Sequence, residues 1–440
     1  MVNLRHKIAI GSGFFALFFV GHGIGALAIP YYQMILGVDP FYLGIILTLP
    51  ILISALLSPR IGLNIMRLGQ AGISNRLGIL AFGWGAALSF GLLWTVPVAW
   101  SLNAKLIYLL VVSVVFSLCA TYLTIYIRSI AYNLADSAQN ATHVMGFTSI
   151  FEKLGSIIYF WLFPMAQLSL FADIHMGMQW VGWLTSIGLI GGLATVAAIL
   201  SDDLLLKPCH AKQTEPQKIN TPQLSPSLHK RLIILLILLF IQCGLIGFCI
   251  SFDFYILVYF VDNGDIGQGA FWKGVLSSAY AILGLISIPI VIHCVKRFGK
   301  LACLRAIYVI SIVGGASKWF IYAPGNQNWL VLDALLGVWI WTAVSAVIPA
   351  LLADICIEHK AKTQQKIEAF IASRQHFILQ VSAVFAFLVS GLTLNSIGFD
   401  AANGIEQSTD ALWLMRVILA AGSVIFSAIP LYFLVQLKKA

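Results

Sequence analysis

The chain has 440 residues, 60% of them hydrophobic and only 10% charged, with a formal net charge of +9. Soluble domains carry about 25% charged residues, so this composition excludes a water-soluble globular protein and leaves a polytopic membrane protein. The cations lie in short loops between apolar runs rather than on one face or in a tail, which excludes nucleic acid as a partner and makes them a record of membrane topology.

Met1 to Lys7 carries two positive charges ahead of an apolar run that begins near Ile8 and continues to Tyr32. No small-residue cleavage site follows, so a retained first helix is expected, entering with its N-terminus in the cytoplasm. A short turn through Gly37, Asp39 and Pro40 leads at once into a second apolar run that closes on Ser58-Pro59-Arg60-Ile61-Gly62. The turn is too short for a soluble domain, and the two runs are expected to form an antiparallel membrane hairpin.

Runs of spanning length occur at 8–32, 42–64, 77–97, 105–131, 146–170 and 178–200, then at 231–261, 271–295, 302–323, 329–356, 368–397 and 411–436. Between the two sets, Ser201 to Lys230 is hydrophilic and holds Pro208, Pro216, Pro222 and Pro226. The expected organisation is a six-helix bundle over 1–200, a cytoplasmic linker over 201–230 and a second six-helix bundle over 231–440. With the N-terminus inside, 22 of the 26 lysines and arginines fall on the inner side or inner helix ends, and Lys105, Lys273, Lys318 and Arg416 remain outside. Both termini are therefore expected in the cytoplasm, in a multi-pass cell (inner) membrane protein. The seven cysteines, at 119, 209, 243, 249, 294, 303 and 356, show no CxxC spacing and read as small packing residues.

Twelve spans, a central linker and both ends inside is the layout of the major facilitator superfamily, in which two six-helix bundles rock about a mid-membrane site. Three stretches resemble its glycoside-pentoside-hexuronide cation symporter (melibiose-carrier-like) branch. Tyr31-Tyr32 with Leu36-Gly37-Val38-Asp39-Pro40 and Gly44 is similar to the branch's opening hairpin. Ile130 to Lys153 is similar in layout to its link between helices four and five. Pro349-Ala350-Leu351-Leu352-Ala353-Asp354-Ile355, then Thr363 to Ala369 and Gly391-Leu392-Thr393-Leu394, resembles its "MxADxxDYxxxxTGxRxEG" segment and the helix after it; Gly398-Phe399-Asp400 and Pro430 also fit. The resemblance implies an all-α membrane protein with the major facilitator fold, acting as a secondary transporter of a sugar or glycoside.

The sequence departs from the branch where cations bind. The branch's helix two carries D-A-x-x-D-P-x-x-G, and here the string is Ser54-Ala55-Leu56-Leu57-Ser58-Pro59-Arg60-Ile61-Gly62, with both carboxylates replaced by hydroxyls. Its following "SD" falls near Ile65-Met66, its helix-one aspartate is absent although His22 is present, and its helix-eleven lysine falls near Gln380. A sodium ion leaving water needs oxygen ligands and usually a compensating negative charge. Two serines supply oxygens without charge, so the branch's sodium mechanism is not expected to carry over.

Polar groups at membrane depth are functional candidates. His22, among Gly21, Gly23 and Gly25, reads equally as a solute or proton site and as a hydrogen bond across a close helix contact. Asp253, in SFDFYILVYF, is read as the one acid well inside a span and the replacement for the missing helix-two carboxylates, against a bland reading as a paired interface acid. Ser54 and Ser58 share one helix face, as do His376 and Gln380. Trp339 and Trp341 lie deeper than an interfacial belt and suit either sugar stacking or packing. Glu152 and Lys153 are read as a structural ion pair with Arg128 or a neighbouring helix ahead of a solute contact, Lys318 is expected to snorkel outward, and Tyr31, Tyr32 and Gln33 to anchor at the outer interface. Arg128, Asp354 and Arg374 are expected as cytoplasmic gate charges.

No phosphate loop, metal-ligand set or catalytic constellation is present in the sequence, so neither an enzyme nor an ATP-driven pump is expected, and no cofactor or metal is called for. The expected function is alternating-access transport of a small polar solute, sugar or glycoside by resemblance. The solute site would draw on His22, Ser54, Ser58, Asp253, Trp339, Trp341, His376 and Gln380. The expected partners are the solute, membrane lipid and a coupling proton. Two other readings stay open: a facilitator or exporter of a hydrophobic solute or lipid, and a non-transporting sensor or assembly factor.

Overall fold

The computed structural model describes residues 4–28, 31, 32, 36, 40–71, 74–97, 99–159, 161–201, 222–399 and 407–439. The Gly37-Val38-Asp39 turn, Gln33, most of the expected linker, Cys209, Asp400 and Glu406 lie outside these residues. Among the described residues all regular structure is helical. The long rods are α1 (Leu4–Ala28), α2 (Pro40–Gln70), α3 (Asn75–Leu93), α4 (Leu102–Leu134), α5 (Ala138–Tyr159) and α6 (Ile174–Leu200). They are followed by α7 (Pro226–Val261), α8 (Ile266–Phe298), α9 (Lys300–Ile321), α10 (Gln327–Thr363), α11 (Glu368–Ser396) and α12 (Thr409–Leu437).

Eleven of these rods are long and apolar enough to cross a membrane, and α5 is the exception. Its 22 residues span about 33 Å at 1.5 Å per residue, so length is sufficient. Glu152, Lys153 and the polar start Gln139-Asn140-Ala141-Thr142-His143 dilute its apolarity. Sequence places this span at 146–170, whereas the helix begins at Ala138 and a separate short helix, Leu162–Ala166, occupies the far end.

Helix starts follow side-chain chemistry. Ser74, Ser101, Asp173 and Asp265 precede α3, α4, α6 and α8, and each side chain accepts a backbone N–H from the first turn. Such caps satisfy donors that have no partner inside the helix. The other end of α3 is finished by tyrosines: Tyr31 Oη donates to the Trp94 carbonyl at 2.7 Å, and Tyr32 Oη donates to the Leu93 carbonyl. Both tyrosines are buried, at 0% and 1% exposure, so they close a helix end rather than anchor at a lipid interface as expected.

The chain divides into two compact units, Met1–Gln223 with Cys356–Phe377, and Leu224–Ile355 with Ile378–Ala440. In the first, α1 packs on α5 and α6, α2 on α4, and α3 on α4 and α6. In the second, α8 and α9 pack on α10, and α9 and α7 on α12. Lipid tails are as apolar as leucine, so fit rather than water exclusion holds such rods together. At Gly62 a Cβ would strike Ser373 and the Ala369 carbonyl, and at Gly337 it would strike the Tyr280 hydroxyl, so only glycine permits these approaches.

Several rods of the second unit are irregular. α7 contains π-helical turns at Ile241–Ile246 and Leu257–Val261 and is interrupted between them at Ser251-Phe252. α10 and α12 carry similar turns at Ala343–Val347 and Ile418–Gly422, as α6 of the first unit does at Thr185–Gly192. Such turns relax the backbone hydrogen-bond ladder and often mark functional positions. At the α7 interruption, Ser251 Oγ lies 2.6 Å from Ser390 Oγ of α11, and the next residue but one is Asp253.

Candidate functional site

In the second unit the structure builds a set of ion pairs from residues that hairpin geometry brings level. Asp253 stands eight residues before the end of α7, and Lys273 seven after the start of α8. At 1.5 Å per residue the two lie at matching depth on antiparallel neighbours. Lys273 Nζ donates to Asp253 Oδ2 at 2.5 Å. The pair is asymmetric, since the Asp253 side chain is 6% exposed and that of Lys273 is 35% exposed.

The α9–α10 hairpin repeats the device. Lys318 is three residues before the end of α9 and Asp333 three after Leu330, where the α-helical part of α10 begins. Lys318 Nζ donates to Asp333 Oδ1 at 2.5 Å, with side-chain exposures of 8% and 2%. The second carboxylate oxygen accepts from Tyr322 Oη at 3.1 Å and Tyr280 Oη at 3.4 Å. The Lys318 ammonium also lies 5.4 Å from the centroid of the Tyr322 ring. The Asp253 and Asp333 carboxylates are both within electrostatic reach of these two hydroxyls, so two acids, two lysines and two tyrosines from α7, α8, α9 and α10 form one cluster. Every charge in it has a partner, as burial demands.

Two expectations are corrected here. Lys318 does not snorkel outward, because a buried carboxylate at the same depth offers it a partner. Asp253 is also not the one acid inside a span, because Asp333 is 1% exposed. The missed signal was the matched distance of each acid and lysine from its hairpin turn. Nearer the opposite ends of the same helices, Lys300 Nζ donates to both Asp354 oxygens at 2.7 and 2.8 Å, so the partner of the expected gate acid is on α9.

Trp339 and Trp341 on α10 and Gln380 on α11 are half-buried in this unit. Gln242, inside the first π-helical turn of α7, is fully buried and neither of its amide atoms has a partner among the described residues.

The first unit is organised by hydroxyls. Ser54 Oγ donates to the Ile51 carbonyl at 2.9 Å, a turn back along its own helix. Ser58 Oγ donates to the Ser373 carbonyl at 2.9 Å, tying α2 to the part of α11 that belongs to this unit. On that same segment His376 Nε2 is 3.2 Å from Thr121 Oγ1, and Tyr132 Oη donates to Gln375 Oε1. Ser54, Ser58 and His376 are all buried. His376 falls in the first unit and Gln380 in the second, so the shared face of α11 spans both units.

The charges of the first unit are looser. Arg128 Nη2 is 3.9 Å from Glu152 Oε1, the pairing expected from sequence, with side-chain exposures of 16% and 23%. The Arg128 guanidinium also lies 5.7 Å from the Phe14 ring. His22 is exposed, stacks on Phe18 at 4.5 Å and places Nδ1 3.0 Å from the Phe18 carbonyl. Lys153 is close enough to act on it electrostatically. Arg374 lays its guanidinium 5.0 Å from the Phe370 ring one turn back. Among the described residues no group of three or more His, Cys, Asp or Glu side chains is placed to hold a metal.

Comparisons with known proteins agree with this architecture. The chain superposes on a bacterial homologue of the iron transporter ferroportin in its outward-facing state with a TM-score of 0.65, at 13% identity over 100% of both chains. The E. coli fucose:proton symporter FucP matches with a TM-score of 0.60 at 14% identity, covering 96% of this chain and 98% of that one. At such identities the likeness establishes the twelve-helix fold alone. A search of curated proteins gave no match. The family model described as MFS/sugar transport protein matches residues 9–438, nearly the whole chain. The protein therefore belongs to the MFS/sugar transport family and is a secondary transporter, not an enzyme.

Proposed function

We propose that this transporter carries a small polar solute, a sugar or glycoside in class, by alternating access, and that a proton taken up by Asp253 drives it. The observation that carries this reading is the Asp253–Lys273 pair, a tight contact between a sealed carboxylate and a half-open ammonium. Neutralising the carboxylate would break the pair and free Lys273, so a proton has a mechanical consequence at this point. The family and the proton-symporting structural neighbour favour the same class of solute and ion.

In this reading His22 and the half-open Glu152 and Lys153 contribute from the first unit, because polar groups at membrane depth are tolerated where water reaches them. Trp339, Trp341 and Gln380 contribute from the second. Ser54, Ser58 and His376 are enclosed in the state described, and the proposal assigns them to the solute path as the carrier cycles. Arg128, Asp354 and Arg374 serve as gate charges. The setting is the cell (inner) membrane with both termini in the cytoplasm, as the cation distribution favours.

The test is uptake of a panel of radiolabelled hexoses and glycosides into proteoliposomes under imposed gradients. Accumulation that follows an inward proton gradient is expected. Accumulation that requires sodium and ignores the proton gradient would refute the coupling assignment.

A further inference from the structure

A groove of about 470 Å³ runs along the second unit between the start of α7 and the end of α12. Its mouth is formed by Pro226, His229 and Lys230, and its walls include Ile233, Ile237 and Tyr432. His229, Lys230, Ile233 and Tyr432 are exposed, so both the cationic mouth and the apolar walls are accessible. No acid lines it.

The position of the groove decides what can fill it. Within the second unit, α7 and α9 start, and α8 and α12 end, at one end of the rods. In the second unit that end carries Lys230, Arg231, Lys296, Arg297, Lys300 and Arg305. Its acid Asp354 is already taken by Lys300. The basic end of a membrane rod faces the cytoplasmic leaflet, whose surface is negative. A cleft with cations at the headgroup level and aliphatic and aromatic walls beneath them matches a single amphiphile with an anionic head and an acyl chain.

We propose that this groove binds one anionic phospholipid, its phosphate at His229 and Lys230 and an acyl chain along Ile233, Ile237 and Tyr432. The lipid would brace the first helix of the second unit against the last. The site is independent of the solute and of the coupling ion.

The test uses the full chain purified in a neutral detergent, with retention of phosphatidylglycerol and phosphatidylcholine compared by native mass spectrometry. Selective retention of one phosphatidylglycerol is expected, with inorganic phosphate alone giving no adduct. Lys230→Gln should weaken retention about five-fold, the worth of one cation near a lipid surface. Arg297→Gln, an exposed cation at the same end of α8, should leave it unchanged. Ile237→Asn should weaken both lipids by spoiling the wall. Equal retention of the two lipids would overturn the proposal. So would an equal loss in the Lys230 and Arg297 variants, which would reduce the effect to diffuse attraction by the whole basic end. Because Lys230 and Arg297 are exposed, neither substitution removes a packed group, and unchanged unfolding temperatures in lipid-free detergent check this.

Discussion

The two units solve the problem of polarity inside hydrocarbon differently. The first spends neutral groups: Ser58, Thr121 and Tyr132 each meet a polar group of the 356–377 segment, and the Arg128–Glu152 ion pair between two of its rods is open and 3.9 Å long. The second spends charge: Asp253–Lys273, Asp333–Lys318 and Asp354–Lys300 close at 2.5 to 2.7 Å. Helix two of the first unit is where the resembled branch keeps its carboxylates, and here that position holds serines. The comparison teaches that the helix-two string carries hydroxyls without charge, while the buried acids of α7 and α10 each sit against a lysine of α8 or α9.

The largest effect that would break this contrast is removal of one partner from the sealed pair. Lys318→Gln or Asp333→Asn leaves a buried charge uncompensated, which costs roughly 3–5 kcal/mol. Each single variant should unfold at a much lower temperature in detergent, and the double variant should recover most of the loss. Failure of the double variant to recover would mean that Asp333 does more than balance Lys318.

Next in size is Lys273→Gln. Lys273 is one-third exposed, so the protein should remain folded, and Asp253 would have no ammonium to hold or release. Gradient-driven accumulation should vanish while solute exchange across the membrane persists. Both readouts come from one proteoliposome preparation.

The first unit should answer to volume instead. Gly62→Ala puts a methyl group against Ser373 and the Ala369 carbonyl, an overpacking that costs about 1–3 kcal/mol. Ser58→Ala removes a single hydrogen bond worth about 1 kcal/mol. Thermal unfolding should rank these two below the ion-pair variants. The smallest expected effect is none: replacing sodium with choline should leave uptake unchanged, because no carboxylate stands in the helix-two string.

Much of this was legible in the residues. Runs of apolar side chains place the rods, since backbone in hydrocarbon must satisfy itself as helix. Their ends were not legible, because helices such as α10 (Gln327–Thr363) continue past the apolar run of 329–356 into water, where hydropathy is silent. α5 was placed late because its polar first turns look like loop. Asp253 was visible as an acid among aromatics, yet its partner was hidden, since Lys273 reads as an outer-end cation until the hairpin is folded. Asp333 escaped for the same reason: one turn from a helix end, it looks interfacial, and only the level placement of Lys318 across the turn shows it to be buried. Ser58 and Ser373 are 315 residues apart, and no local pattern announces that contact.

The central claim is that a proton on Asp253 couples to solute movement. It is tested most directly by comparing the wild type with Asp253→Asn in proteoliposomes, measuring accumulation under an inward proton gradient and exchange without one. The account predicts that the variant loses accumulation and keeps exchange. Undiminished proton-driven accumulation in Asp253→Asn would contradict it.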